Sequence, residues 1–206
     1  MNFSIPMALA DFIPVILFLI ASIILQRDLY NKMSKGAFAL FAAGTINVFC
    51  AGALKALYKL LYAAGVCDFQ ALSNMFFPVQ SLGFILAGLG LVAMLCHRQG
   101  TKLAAVAPPL FTGTFVFVGM MVGGLIALDS VLCVLAKKLG KGRLCVFFIL
   151  QCVMCMGMGY LSSKDFAQAY MNWIAEGINI FGQLMFLIGA VSLHRAGLRE
   201  LELSAK

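Results

Sequence analysis

The sequence predicts an all-α integral membrane protein: seven transmembrane helices forming two parallel three-helix repeats joined by a fourth helix. Three observations lead there. The apolar content is too high for a water-facing surface, the positive charges fall in alternate inter-helix segments, and landmark residues recur at fixed offsets. Of 206 residues, 63% are apolar and 11% charged, against ~45–50% and ~25% in ordinary soluble domains. A soluble domain of this size needs far more polar side chains to cover it. A water-soluble monomer and a disordered chain are both excluded.

Five runs reach the ~20 apolar residues that a spanning helix needs, namely 7–26, 37–62, 75–97, 143–161 and 168–193. The first lacks a basic leader and contains Asp11, so it reads as a span rather than a cleavable signal. Between Lys102 and Lys137 lie 34 residues whose one charge is Asp129. One helix of that length would reach ~51 Å, too long for a ~30 Å hydrocarbon core, while two of about 16 residues are slightly short. Charge decides between them. With seven spans and the N-terminus outside, Arg27, Lys32, Lys35, Arg98, Lys102, Lys137, Lys138, Lys141, Arg143, Arg195, Arg199 and Lys206 all face the cytoplasm, twelve of the fifteen basic residues. Lys164 alone lies in an outer segment. Six spans would move the Lys137–Arg143 cluster outside, against the positive-inside bias. A tight outer turn is therefore expected near Gly119–Gly124, with Pro108-Pro109 in the first turn of the fourth helix. The net charge of +7 is thus a membrane signature, and no nucleic-acid partner is expected. The expected location is the plasma (inner) membrane, with a cytoplasmic C-terminus.

Shifting the chain by 106 positions puts Leu19-Ile20-Ala21 on Leu125-Ile126-Ala127, Lys32 on Lys138, Lys35-Gly36 on Lys141-Gly142 and Phe41 on Phe147. A shift of 97 then puts Asp68-Phe69 on Asp165-Phe166, Phe84 on Phe181, His97-Arg98 on His194-Arg195 and Gly100 on Gly197. The chain reads as one membrane domain: repeat 1 over about 7–98, a linker helix over about 103–118, repeat 2 over about 120–195 and a tail over 196–206. The connecting helix restores the orientation of the second copy, so the repeats are parallel.

This 3+1+3 plan resembles the SWEET and PQ-loop transporters and, more distantly, the microbial rhodopsins. The resemblance is one of architecture. The Pro-Gln dipeptide is missing, Met120 stands at the repeat position of Pro14, and the seventh span (166–193) has no Lys for a retinal Schiff base. No functional residue is carried over from either family.

Ionisable groups inside spans are costly and point to function. Here they are Asp11, Lys55, Lys59, Asp129 and Glu176. Lys59, beside Tyr58 and Tyr62, reads as a snorkelling anchor. Lys55, one turn deeper, is placed to pair with Asp11 or Glu176. Asp129 is too deep for its short side chain to reach water, so it faces a cavity, pairs, or keeps its proton. Its depth matches Thr45, Gln151 and Gln183, and the layer is equally a solute path or a structural polar cluster. Asn172, Glu176 and Asn179, at i, i+4 and i+7, share one helix face, with Asn74 and Gln80 expected opposite. These residues, with Asp129, Gln151 and Lys55, are the candidate substrate-binding set; Trp173 beside them also suits an interfacial belt.

Other constellations carry less. Cys152 and Cys155, with Met156 and Met158, are soft donors suited to Cu(I), but also ordinary packing residues. The seven cysteines suggest no disulfide framework. His97 and His194, each followed by Arg at an inner helix end, read as anchors. No catalytic set and no cofactor site stands out. An intramembrane lipid-modifying enzyme would have to work with Asp129, Glu176 and lysines alone. The expected function is a small secondary transporter or facilitator for a small polar solute, with proton coupling as one mode. The alternative is a receptor-like or accessory membrane subunit that binds a ligand, lipid or partner protein. The expected partners are the lipid bilayer and the solute, with a homo- or hetero-oligomer open.

Overall fold

The computed structural model describes residues 4–96, 114–161 and 169–202, and within them every regular element is helical. The helices are α1 (Ile5–Ala10), α2 (Phe12–Leu29), α3 (Lys35–Ala63), α4 (Ala71–Asn74), α5 (Phe76–Cys96), α6 (Thr114–Lys138), α7 (Cys145–Leu161) and α8 (Ala169–Arg195). Five segments are long and apolar enough to cross a bilayer, and Gly142–Met158 is a shorter apolar helix. The chain is a multi-pass membrane protein.

Two helix breaks have one cause. Proline lacks an amide hydrogen, and its ring crowds the carbonyl four residues earlier. Pro14 sets α1 to end at Ala10, and Pro78 sets α4 to end at Asn74. The first break leaves Asp11 at the joint between α1 and α2, buried despite its charge. Elsewhere the ends are capped locally. Ser34 Oγ accepts from Ala37 N at 3.2 Å at the start of α3. Gly197, at φ +86°, closes α8 with Leu198 N donating to Leu193 O at 3.0 Å, a left-handed cap that an L side chain rarely allows.

The long helices form a ring in which α2, α3, α5, α6, α7 and α8 each pack on the next, and α8 returns to α2. Contacts fix the directions. Gly83 and Gly90 of α5 meet Val48 and Phe41 of α3, and Gly182 and Gly189 of α8 meet Met154 and Phe147 of α7, so both pairs are antiparallel. Phe18 stacks on Phe186 and Asp28 meets His194, so α2 and α8 run parallel. The turn after α6 therefore lies at the same end as the turn after α2. We call this the basic end, because it holds Arg27, Lys32, Lys35, Lys137, Lys138, Lys141 and Arg143. Asp68 lies at the opposite end. It follows that α5 and α6 also run parallel, with Cys96 at the basic end and Thr114 at the opposite one.

The expected turn at Gly119–Gly124 does not form. Helix α6 runs without interruption through it. The glycines serve packing: a Cβ on Gly124 would fall 2.3 Å from the Phe84 carbonyl carbon, whereas one on Gly119 or Gly123 would meet nothing within 4 Å. Residues 114–118, assigned above to a linker helix, belong to α6. The rest of that segment, with Pro108-Pro109, His97, Arg98 and Lys102, lies outside the described residues, as does Lys164.

The centre is a layer of aromatic rings. Phe18 stacks on Phe186 at 5.6 Å between centroids and meets Phe84 edge-on at 6.3 Å, and Phe148 meets Phe186 edge-on at 6.4 Å. Phe148 and Phe186 are almost fully buried, and such rings carry large burial energies. Ile13, Ile16, Ile20 and Ile23 lie exposed along α2, as a lipid-facing stripe would.

Candidate functional site

Polar groups inside the ring fall on both sides of this aromatic layer. At the opposite end the break at Asp11 turns its carboxylate toward α3, where Lys59 Nζ forms an ion pair with Oδ2. Glu176 of α8 reaches the same carboxylate, side chain to side chain. Lys55, one turn below Lys59, places its ammonium 3.9 Å from the Phe76 ring centroid and within the field of both carboxylates. Two acids and two bases thus form a quartet between α2, α3 and α8. Lys59 is not a snorkelling anchor: its side chain is only 14% exposed, because Asp11 offers a closer counter-charge than the interface does. Lys59, not Lys55, makes the ion pair with Asp11.

Asn172, Glu176, Asn179 and Gln183 follow at i, i+4, i+7 and i+11 on α8, one continuous stripe. Glu176 and Gln183 are buried and the two asparagines half-buried. From Glu176 to Gln183 the stripe descends ~10 Å toward mid-membrane. There Gln151 of α7 turns its amide NH2 to the Asp129 carboxylate of α6, 2.7 Å from both oxygens. Its amide oxygen then faces Cys155 Sγ at 3.6 Å, and Gln183 Nε2 lies 4.0 Å from the same sulfur. Asp129, Gln151 and Gln183 therefore form one chain, as their common depth implied. Thr45 stands apart in the other half, accepting from Gln26 Nε2 at 2.7 Å.

Asn74 and Gln80 sit on elements that do not pack directly on this stripe. Helix α5 packs on α3 and α6 rather than on α8, and Asn74, in the short turn forced by Pro78, is exposed. Among the described residues no group of three or more His, Cys, Asp or Glu, around Cys152 and Cys155 or elsewhere, is placed to hold a metal ion.

On the basic side of the rings lies a group that sequence reasoning missed. Asp28 is buried, with a fully inaccessible side chain. Its oxygens lie 2.8 and 3.0 Å from His194 Nδ1, and Arg27 Nε is 3.7 Å from Oδ1. His194 is thus not a free interfacial anchor, because the parallel pairing of α2 and α8 brings it onto a buried carboxylate. A charged residue beside Arg27 at a span's inner edge reads as solvated. Only the α8 register reveals otherwise.

Five buried polar atoms have no hydrogen-bond partner among the described residues: Asp11 Oδ1, Glu176 Oε1, Ser81 Oγ, Gln183 Oε1 and Ser22 Oγ. Such groups are costly and rare in a packed interior. Asp11 and Glu176 lie nearest the opposite end, Ser81 and Gln183 one turn before the rings, and Ser22 one turn beyond them. The span from Asp11 to Ser22 is ~16 Å along α2. The sequence matches no protein-family model, no curated protein and no solved structure.

Proposed function

We propose that the chain is a small secondary transporter or facilitator that passes a small polar solute between two three-helix units, α2–α3–α5 and α6–α7–α8. The observation that carries this reading is the series of unpartnered buried polar atoms on both sides of the aromatic layer. Polar groups inside a membrane span are costly and commonly mark substrate or ion pathways. The quartet at the opposite end supplies charge recognition, the α8 stripe leads inward, and Phe18, Phe84, Phe148 and Phe186 close the middle.

The two units are read as copies, and the packing supports it. Val48 and Phe41 meet Gly83 and Gly90, while their partners at a shift of 106, Met154 and Phe147, meet Gly182 and Gly189, two residues beyond the positions that the shift of 97 assigns to those glycines. Phe18 marks the α2–α8 crossing, and its partner Gly124 marks the α6–α5 crossing. Thr45 is bonded to the preceding helix through Gln26, as its partner Gln151 is through Asp129. Because α5 ends at the basic end and α6 begins at the opposite one, the proposal includes one more crossing between them, for seven in all.

The test is uptake into proteoliposomes of a panel of labelled neutral, cationic and anionic small polar solutes. Glu176→Gln and Asp129→Asn should each cut the active flux at least tenfold, with melting behaviour kept as the folding control. No flux above protein-free vesicles for any solute, or a flux indifferent to both variants, would overturn the reading.

A further inference from the structure

The basic end carries a groove of about 520 Å³ between α2, the start of α3 and the segment after α8. Its rim is cationic, from Arg27 and Arg199, with Asn31 beside them, and its wall is apolar, from Ile23 and Phe38. The rim is built rather than incidental. Gly197 turns the chain back after α8, Leu198 is fully buried beneath the turn, and Lys32 Nζ donates to the carbonyls of Arg199 (2.9 Å) and Leu201. Arg199 is thereby fixed at a distance of 167 residues in sequence from Lys32. Arg27 is held from the other side, its Nη2 3.2 Å from His194 Nε2. Tyr30 meets Phe38 edge-on at 4.9 Å and shapes the mouth.

The geometry points to an anionic phospholipid as the occupant, its phosphate between Arg27 and Arg199 and one acyl chain along Ile23, Ile20, Ile16 and Ile13. Two features select a lipid over a free anion. The apolar wall runs directly into the exposed isoleucine stripe of α2, and the groove lies at the basic end, where α2 and α8 stop. Charge selects an anionic headgroup: Arg27 and Arg199 both line the groove and no described acid does, Asp28 being buried against His194 and Glu200 and Glu202, near Lys32, lying outside the lining. Basic pockets between helices at a membrane face commonly take such headgroups, and Arg matches phosphate geometry. This site is independent of the transport reading, since it lies outside the ring interior.

Native mass spectrometry of the full chain released from mild detergent, with phosphatidylglycerol and phosphatidylcholine at equal concentration, reads it directly. The wild type should retain phosphatidylglycerol at least fivefold over phosphatidylcholine, and Arg199→Gln or Arg27→Gln should bring the ratio near one. Arg199 is exposed, so its variant keeps the fold. Lys138→Gln, at the same end but outside the groove, should keep the preference. Equal retention in the wild type, an unchanged preference in both arginine variants, or equal loss in Lys138→Gln would overturn the site. Displacement of the lipid by millimolar inorganic phosphate would also overturn it, in favour of a soluble anion.

Discussion

Alanine at Gly124 tests the reading of the Gly119–Gly124 run as helix rather than turn. A Cβ there would lie 2.3 Å from the Phe84 carbonyl carbon, 2.5 Å from Ile85 N and 2.5 Å from Phe84 O. All three are backbone atoms and none can swing aside. The α5 and α6 axes must therefore part by about 1 Å, and a gap of that size forfeits up to about half of the dispersion attraction across each lining contact. Overpacking of this kind costs about 1–3 kcal/mol. Gly119 and Gly123 face open space, so alanine at either should fall within about 1 kcal/mol of wild type, on the stabilising side if helix propensity carries over. The assay is thermal or denaturant unfolding of the purified chain in mild detergent, with the three variants side by side. Gly124→Ala as stable as Gly119→Ala would refute the close α5–α6 approach. Strong destabilisation at Gly119 or Gly123 would restore the turn.

Three further outcomes follow from the buried polar contacts and the ring. Asp129→Ala leaves the Gln151 amide buried without its partner and should cost about 1–3 kcal/mol, whereas Asp129→Leu with Gln151→Leu should come close to neutral; unfolding in detergent checks both, and equal losses would argue against the contact. His194→Ala removes the neighbour nearest the Asp28 carboxylate and should cost about 1.5–3 kcal/mol, the range for hydrogen bonds to charged groups, while Asp28→Asn, still able to accept from the ring, should cost less in the same melts. Cys67 is exposed at the opposite end. In oriented vesicles a membrane-impermeant maleimide should label it from one side and Lys141→Cys, in a background without other cysteines, from the other. Labelling of both from one side would contradict the shared basic end.

Periodicity and charge made most of the helices legible, because a bilayer demands long apolar runs and sorts Lys and Arg by side. The runs at 37–62 and 75–97 correspond within two residues to α3 and α5. The region after Lys102 was misread because glycines report two different things. A glycine that turns the chain and one that lets a neighbouring helix approach are identical in sequence, and only the α5 backbone opposite Gly124 separates them. The common depth of Asp129, Gln151 and Gln183 was readable, since depth follows from residue count along a helix. Partner choice was not. That Lys59 takes Asp11, that Thr45 bonds Gln26, and that Asp28 is buried under His194 all depend on which helices are neighbours and in what register. The proline breaks lay in between: Pro14 and Pro78 announce them, but Asp11 becomes an interior group only once α8 brings Glu176 to the same level.

Stability alone does not account for where these charges sit. Replacing a buried ion pair by apolar groups of similar volume is often neutral or stabilising, and a bilayer raises the cost of the charged version further. Helices α2 and α8 already hold together through the Phe18–Phe186 stack and the apolar contacts around it. Yet their shared face carries Asp11 and Glu176 toward one end and Asp28 with His194 toward the other. Charges divided in this way, with an uncharged aromatic plug between them, suit an interface that opens at each end in turn, as alternating access requires. If the proposed transport reading holds, aliphatic replacement of the quartet by Asp11→Leu, Glu176→Leu, Lys55→Leu and Lys59→Leu should preserve or raise the unfolding midpoint while abolishing flux. A quartet variant that unfolds yet loses no flux per folded molecule would show the reverse, that these four side chains hold the bundle together and move nothing.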